Sequence, residues 1–385
     1  MSVVTKGLKV RIYPNSEQKE LFSNNFGAIR FVYNNILAEL NYLYHLYPGK
    51  YKLNIKLINT LLNELKNRTK WLREIESTSL QQSSRDLLKA YLSFFKNPNA
   101  NFPKFHSRKN TRLSFRQTVT PSLVQDNKFK LRKYGLIRYR TSKEHVKLLN
   151  SDNIKINNIT ITCDNNKYYA IVNVEVDVEE WDYTDLGHGF DLNSNKNGFL
   201  VCDNGTKYRF NINRESQTIK RLNRSLATKQ KGSRSFQKIL KRLQKAYDHR
   251  TNKLNDYCQK LSTQLVKEND TIVIESNWGS IKILIGGEQN DRFPLERFKE
   301  MVKYKFNWYK PEAKGLIEVD PKWTSKTCHK CGYVNNEVVV QMREWECPKC
   351  HAFHDRDINS AINIFRRGNT VSCLVYALGI HHFFK

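Results

Sequence analysis

The sequence predicts a multidomain α/β fold whose strand-and-helix core lies in the C-terminal half and is interrupted by a small cysteine module. Three observations carry this. Acids stand in hydrophobic strand frames, Asp191 in GFDLNSNKNG and Glu275 in DTIVIES, and a third, Asp357, opens a helical stretch, DINSAINI. Four cysteines form two CxxC pairs, Cys328/Cys331 and Cys347/Cys350, between the second and third acids. The chain has 385 residues, more than a single core usually fills, and its N-terminal half reads as helices followed by strands.

Leu8–Tyr13 alternates apolar and basic residues, as a half-exposed strand does, and Pro14 ends it. Ser16 is the expected cap of a helix whose stripe is Leu21, Phe22, Phe26, Ile29, Val32, Tyr33, Ile36 and Leu37. Further helices are expected over Leu53–Lys66 and Leu80–Phe95. Residues 15–102 thus form a helical unit inserted after the first strand. Strand patterns follow at Thr111–Arg116, Lys128–Leu131, Leu136–Arg140, Ile154–Cys163 and Lys167–Val176, with turn signals at Asp126-Asn127 and Asp164-Asn165-Asn166. A β unit, expected to be a barrel, therefore combines residues 1–14 with 103–180. Lys104, Arg108, Lys109 and Arg112 alternate with Phe102, Phe105 and Phe115 there, a pattern that suits either a single-strand or RNA platform or a solvated face with its aromatics in the core.

After Trp181 the pattern changes. Strands at Phe190–Leu192, Gly198–Cys202 and Lys207–Phe210 surround the tight-turn signal Asp203-Asn204-Gly205. A basic helical pair spans 213–268 and turns at Gly232-Ser233; a wall for nucleic acid and a plain solvated face both fit it. Thr271–Glu275 and Gly315–Val319 read as strands flanking a helix at Pro294–Trp308. The last helix starts near Asp357, with Ile358, Ala361 and Ile362 expected inward. The core is then 181–322 plus 353–385, with the cysteine module at 323–352.

Lys+Arg outnumber Asp+Glu by 65 to 37, a formal charge of +28 spread along the chain, and the commonest partner of such a surface is nucleic acid. MSVVTKGLKVRIYP lacks the apolar core of a secretion signal, and no apolar run reaches the roughly 18–20 residues that cross a bilayer. A cytoplasmic, nucleoid-associated protein is expected, nuclear in a eukaryotic host, with no membrane partner. Val371–Phe384 is apolar but interrupted by His381 and His382, and reads as a core element. Cys163, Cys202, Cys258 and Cys373 are isolated in mixed or apolar runs and are expected as buried thiols.

The cysteine spacing, C-x2-C-x15-C-x2-C, is that of a structural zinc site: four thiolates complete a tetrahedron and leave no position for water. Lys326, Lys330 and Lys349 would offset their charge, and charged strands are expected over Val338–Trp345. His351 and His354 lie nearby, but four cysteines suffice. Among the acids, the order matters more than any one of them, since each alone fits a turn, a surface charge or a helix cap. A strand ending in Asp, a hairpin, a later strand ending in Glu and a helix opening with Asp is the order of an RNase H-like core. Converging carboxylates repel, and two Mg²⁺ ions about 3.5–4 Å apart would relieve this and support in-line phosphodiester hydrolysis. Asp355 is placed outside this set.

The chain resembles the TnpB (OrfB) family of insertion-sequence proteins, relatives of type V CRISPR effectors. The matching stretches are RIYPNSEQKELFSNNFGAIRFVYN, LQQSSRDLLKAYLSFF, NFPKFHSRKN, GFDL, IVIES, TSKTCHKCG, ECPKC and DRDINSAINI. The resemblance implies an RNA-guided DNA endonuclease. It would have a wedge-like β domain, a helical recognition domain, a RuvC-type core and a zinc-ribbon target-nucleic-acid-binding module. The partners implied are a guide RNA from the transposon end and double-stranded target DNA bearing a short protein-read motif. The protein is expected to be a monomer with its RNA. Asp191, Glu275 and Asp357 carry over as Mg²⁺ ligands, and Cys328, Cys331, Cys347 and Cys350 as zinc ligands. Gln81 and Gln82 could read base edges beside the target or simply face solvent. Departures from the family pattern are Asn193 where Gly is usual, Ser276-Asn277 where Asp-Leu is common, and His351 where Gly is common. A nuclease-silent guided repressor and a strand-transferring transposase are the alternatives on the same scaffold.

Overall fold

The computed structural model describes residues 2–48, 50–109, 113–119, 123–125, 127–151, 154–192, 200–276, 294–339 and 341–377, with side-chain surroundings as far as Thr370. Thr111, Arg112, Asp126, Asn193, Gly198, Phe199, Asn277, the Cys373 side chain and the tail beyond Ala377 lie outside the described residues. The chain divides into two compact units, Val3–Asp177 and Val178–Lys385 with the first two residues.

In the first unit, β1 (Ser2–Tyr13) buries Val4, Leu8, Val10 and Ile12, and turns Lys9 and Tyr13 outward, as the alternation requires. α1 (Ser16–Leu46) is one uninterrupted helix of 31 residues. Its cap is Asn15 rather than Ser16. Asn15 Oδ1 accepts from Gln18 N at 2.8 Å while Gln18 Oε1 accepts from Asn15 N at 3.0 Å, a reciprocal box that needs the side chain one residue earlier. α2 (Ile55–Arg68) and α3 (Ser77–Lys96) pack on α1 through Ile36, Leu37, Ile58, Leu62, Leu80 and Leu87. Buried Glu76 caps α3, its carboxylate accepting from Thr78 N and Ser79 N.

The strands of this unit are β2 (Leu113–Thr118), β3 (Val124–Gln125), β4 (Lys128–Leu131), β5 (Gly135–Arg140), β6 (Lys155–Asp164) and β7 (Lys167–Val178). With β1 they form a seven-stranded sheet in the order β2-β6-β7-β1-β5-β4-β3. Where the sequence suggested a barrel, pairing among the described residues runs from β2 at one end to β3 at the other. Asn127, Asn165 and Asn166 take positive φ values of 58°, 47° and 59° at the turns, a conformation Asn tolerates better than most residues. α4 (Lys143–Leu149) is a helix the sequence reading missed. It is too short to display apolar periodicity, although its Ser142 cap was visible.

In the second unit, β8 (Gly187–Leu192), β9 (Leu200–Cys202) and β10 (Lys207–Tyr208) form an antiparallel meander, joined by β11 (Thr271–Glu275) and β12 (Gly315–Val319) in the order β10-β9-β8-β11-β12. β11 runs parallel to both β8 and β12. One face of the sheet carries Phe190, Ile272 and Ile274, packed with Leu261, Leu265, Phe298 and Val302 from α6 (Arg234–Glu268) and α7 (Leu295–Tyr309). α6 follows α5 (Asn213–Ala227) through Gly232, at φ 86°, and the Ser233 cap. The other face packs on α8 (Arg356–Ala377) through Val273, Val319 and Ile364. The approach is close. A Cβ on Gly189 would lie 2.3 Å from the Ala361 carbonyl oxygen, so only glycine fits there.

Between β12 and α8 lies the cysteine module, with β13 (Glu344–Glu346) and β14 (Phe353–Asp355) paired antiparallel. The expected strands over Val338–Trp345 reduce to this short pair. Cys202 and Cys258 are buried thiols as expected, while Cys163 is only partly buried.

Candidate functional site

Two residues beyond the last recorded β8–β11 pair, Gly189 and Val273, each strand reaches an acid: Asp191 on β8 and Glu275 on β11. Parallel neighbours put both at the same, carboxyl-terminal edge. α8 crosses that face of β8, and Ser360 Oγ donates to Asp191 Oδ1 at 3.0 Å. The third acid, Asp357, sits in the first turn of α8, 6% exposed. It is not the cap of that helix. Asp355 is, its Oδ1 accepting from Asp357 N at 3.0 Å and Ile358 N at 3.2 Å while Oδ2 pairs with Lys207 at 2.6 Å. This leaves the Asp357 carboxylate available to side chains, and it meets Arg356 at 3.1 Å and Arg343 at 3.4 Å.

The electrostatics tie the three acids together. Burial pushes the Asp191 carboxyl well above the usual carboxylate range, the charges of Glu275 and Asp357 push it the same way, and the Ser360 hydroxyl only partly opposes them. Burial also raises Glu275, against the Thr324 hydroxyl, which donates to its Oε1 at 2.6 Å, and the charge of Arg367. Among the described residues, the three acids do not make a set of oxygens all within 4.8 Å of one another.

The cysteines do make such a set. Cys328, Cys331, Cys347 and Cys350 place their four sulfurs within 4.8 Å of one another. Cys328–Cys350 and Cys331–Cys347 are 3.7 and 3.6 Å apart. Tetrahedral zinc with Zn–S bonds of about 2.3 Å needs sulfurs about 3.8 Å apart, so the cage fits that ion. Burial works to raise the Cys347 thiol, but the N–H groups of Cys350 and Lys349 and the neighbouring thiols draw it down to about 7. His351 follows the last cysteine at φ 55°, the left-handed conformation that a glycine there would adopt freely.

Module and helix are stitched together by residues the sequence reading did not single out. Asn359 Nδ2 donates to Thr327 O at 2.8 Å, and its Oδ1 accepts from His329 N at 3.0 Å. Asn363 Nδ2 donates to Thr324 O and Thr327 O. The inward face of α8 is therefore largely polar. Asn359, Ser360, Ala361 and Asn363 are buried, whereas Ile358 and Ile362, expected inward, are only partly so. Their frames, TSKTC and INSAIN, were visible in the sequence; the polar burial was not, because apolar periodicity does not report it.

The residues expected at a nucleic-acid surface are dispersed in the first unit. Gln81, Lys104, Arg108 and Lys109 are exposed. Gln82 lines a cavity of about 220 Å³ beside Arg30, Tyr33, Asp86, His106 and Arg116. Phe102 and Phe105 are exposed, and Phe115 is in the core at 3% exposure, so the two readings of that stretch divide residue by residue.

Fold and site define an α/β protein with a three-acid centre at one sheet edge and a four-cysteine module leading into the helix that bears the third acid. Three family models match: "Helix-turn-helix domain" over residues 1–47, "Probable transposase" of the OrfB/IS605 group over 172–276, and "Cas12f1-like, TNB domain" over 296–364. Two relatives are named "Putative RNA-guided DNA endonuclease". That of Streptomyces pristinaespiralis is 27% identical, over 97% of this chain and 91% of its own. InsQ of Escherichia coli K12 is 28% identical, over 95% and 93%. The solved Cas12f1–sgRNA–target DNA complex aligns at 15% identity with a TM-score of 0.49, covering 94% of this chain and 98% of that one. These matches make the chain similar to the TnpB (OrfB) group of proteins along most of its length. The segment matched by the helix-turn-helix model is here a strand and one continuous helix.

Proposed function

We propose that the protein is an RNA-guided, Mg²⁺-dependent DNA endonuclease of an insertion sequence, acting at Asp191, Glu275 and Asp357. One observation carries the proposal. Side chains as far apart in sequence as Asp191 and Asp357 share one electrostatic environment at the carboxyl edge of a mixed sheet. The strand order, an antiparallel meander followed by two parallel strands, is that of an RNase H-like core, and the RuvC-type assignment rests on it. Residues 1–14 with 103–180 would be the wedge, 15–102 the recognition domain, 181–322 with 353–385 the nuclease core, and 323–352 the zinc ribbon.

The three acids would hold two Mg²⁺ ions, which when bound lower the pKa of an attacking water and offset charge on the leaving oxygen. The chain's own residues prepare that centre. Ser360 and Thr324 fix the rotamers of Asp191 and Glu275 by donating to one oxygen of each. Asp355 holds the first turn of α8, so Asp357 is set by backbone rather than by its own capping bond. The cysteine cage would hold one structural zinc. The basic surface would carry guide RNA and target DNA, with the protein acting as a monomer on its RNA at the nucleoid, or in the nucleus of a eukaryotic host.

The test is purification with co-expressed RNA, sequencing of that RNA, and a matching target plasmid with Mg²⁺. Cutting that disappears in Asp191→Ala supports the proposal. Tight binding without cutting would favour the guided repressor, which the retention of all three acids argues against. Joined donor–target products would favour a transposase.

A further inference from the structure

We propose that His354 is a positioning residue of the cysteine cage, its imidazole donating the Nε2–H to the Cys328 thiolate. The proposal rests on the reading that the four thiolates hold zinc. His354 Nε2 lies 3.1 Å from Cys328 Sγ, and the residue is 2% exposed. Among the described residues its buried Nδ1 has no hydrogen-bond partner.

Those facts select the tautomer. With the proton on Nδ1, a donor would be buried unpaired and the Nε2 lone pair would face a thiolate. With the proton on Nε2, the donor meets an anionic acceptor and only a neutral acceptor is left idle. Nor is His354 one of the cage's own donors, because it is absent from the set of atoms lying within 4.8 Å of one another.

The ring is also packed by its neighbours within the module. His354 pairs with Trp345 across β13 and β14, and its ring lies 4.7 Å from those of Trp345 and His329. It stands three residues before Asp357, on the strand that runs directly into α8. An N–H bond to sulfur withdraws charge from the thiolate, making it a poorer target for protons and oxidants and holding it in register with the ion. The same bond anchors the segment that delivers the third acid.

The test uses the full chain. Zinc content is first measured on wild type, His354→Phe and His354→Gln, and zinc release to excess chelator is then timed. Wild type is expected to carry one zinc. His354→Phe should lose it about 10–100-fold faster, while His354→Gln, whose amide N–H reaches the same sulfur, should stay within about threefold of wild type. Equal rates for wild type and Phe would overturn the proposal. So would equally fast release from Phe and Gln, which would assign the effect to packing. A long-range ¹H–¹⁵N spectrum of wild type, which depends on no variant folding, should show His354 as the Nε2–H form, and the Nδ1–H form would overturn it as well. Wild type without zinc would sink the cage reading itself, and this proposal with it.

Discussion

Ser360 Oγ donates to Asp191 Oδ1 at 3.0 Å across a sequence separation of 169 residues. That single bond joins the strand carrying the first acid to the helix carrying the third. It is possible because Gly189 lets α8 approach β8 more closely than any side chain would permit.

Removing the hydroxyl should therefore loosen the acid without removing it. Ser360→Ala is expected to lower cutting about 10–100-fold and to raise the Mg²⁺ concentration for half-maximal rate, with thermal stability little changed. Thr324→Val should do the same through Glu275. A Mg²⁺ titration of cutting, beside a melting curve, checks both. An unaltered Mg²⁺ requirement in both variants would remove these hydroxyls from the account.

The acid centre should cost stability when no cation is bound. Folding raises the Asp191 pKa, so the stability linked to it is full below the unfolded value, near 4, and declines as pH rises through the folded value. Asp191→Asn should thus melt higher than wild type at pH 8 in Mg²⁺-free buffer, with the gain shrinking towards pH 4. Added Mg²⁺ should stabilise wild type more than the variant. Equal melting temperatures at both pH values would contradict the crowding of charge seen here.

Zinc removal should reach the acid centre through Asn359 and Asn363, which bind the loop from Thr324 to His329. Cys347→Ser is expected to release zinc and to deprotect the first turns of α8 in hydrogen exchange. It should abolish cutting even though all three acids remain. Protection of α8 unchanged in zinc-free protein would show that module and helix are independent.

Lys310 is wholly buried, and its Nζ binds Asp270 Oδ1 at 2.7 Å and the carbonyls of Lys267 and Asn269. Asp270 Oδ2 in turn accepts from Thr184 N and Asp185 N, so this network fixes the entry to β11. Lys310→Met leaves Asp270 buried without its cation and is expected to cost about 3–5 kcal/mol in denaturant unfolding. A loss below about 1 kcal/mol would mean the pair is better solvated than its burial indicates.

Binding of RNA should weaken steeply with salt, because a chain of formal charge +28 gains affinity by releasing counterions from phosphates. Filter binding across a salt series gives the slope. A nearly flat series would assign the positive surface to some other role.

The sequence by itself determined the elements. Lys128–Leu131, Thr271–Glu275 and Gly315–Val319 appear with the predicted bounds, because local alternation or a short apolar run between turns suffices to specify a strand. It also determined the cysteine cage, since two CxxC turns bring their own thiols close and leave little for the rest of the fold to decide. The cap at Asn15, the helix at Lys143–Leu149 and the short pair β13–β14 were decided by individual hydrogen bonds that periodicity does not register. What only tertiary structure decided is the company each acid keeps. Arg356, Ser360 and Arg367 reach the centre from α8, and Thr324 and Arg343 reach it from the cysteine module. They do so because a parallel strand pairing and one glycine-lined crossing bring distant segments within hydrogen-bond reach, and a linear pattern carries no record of such crossings.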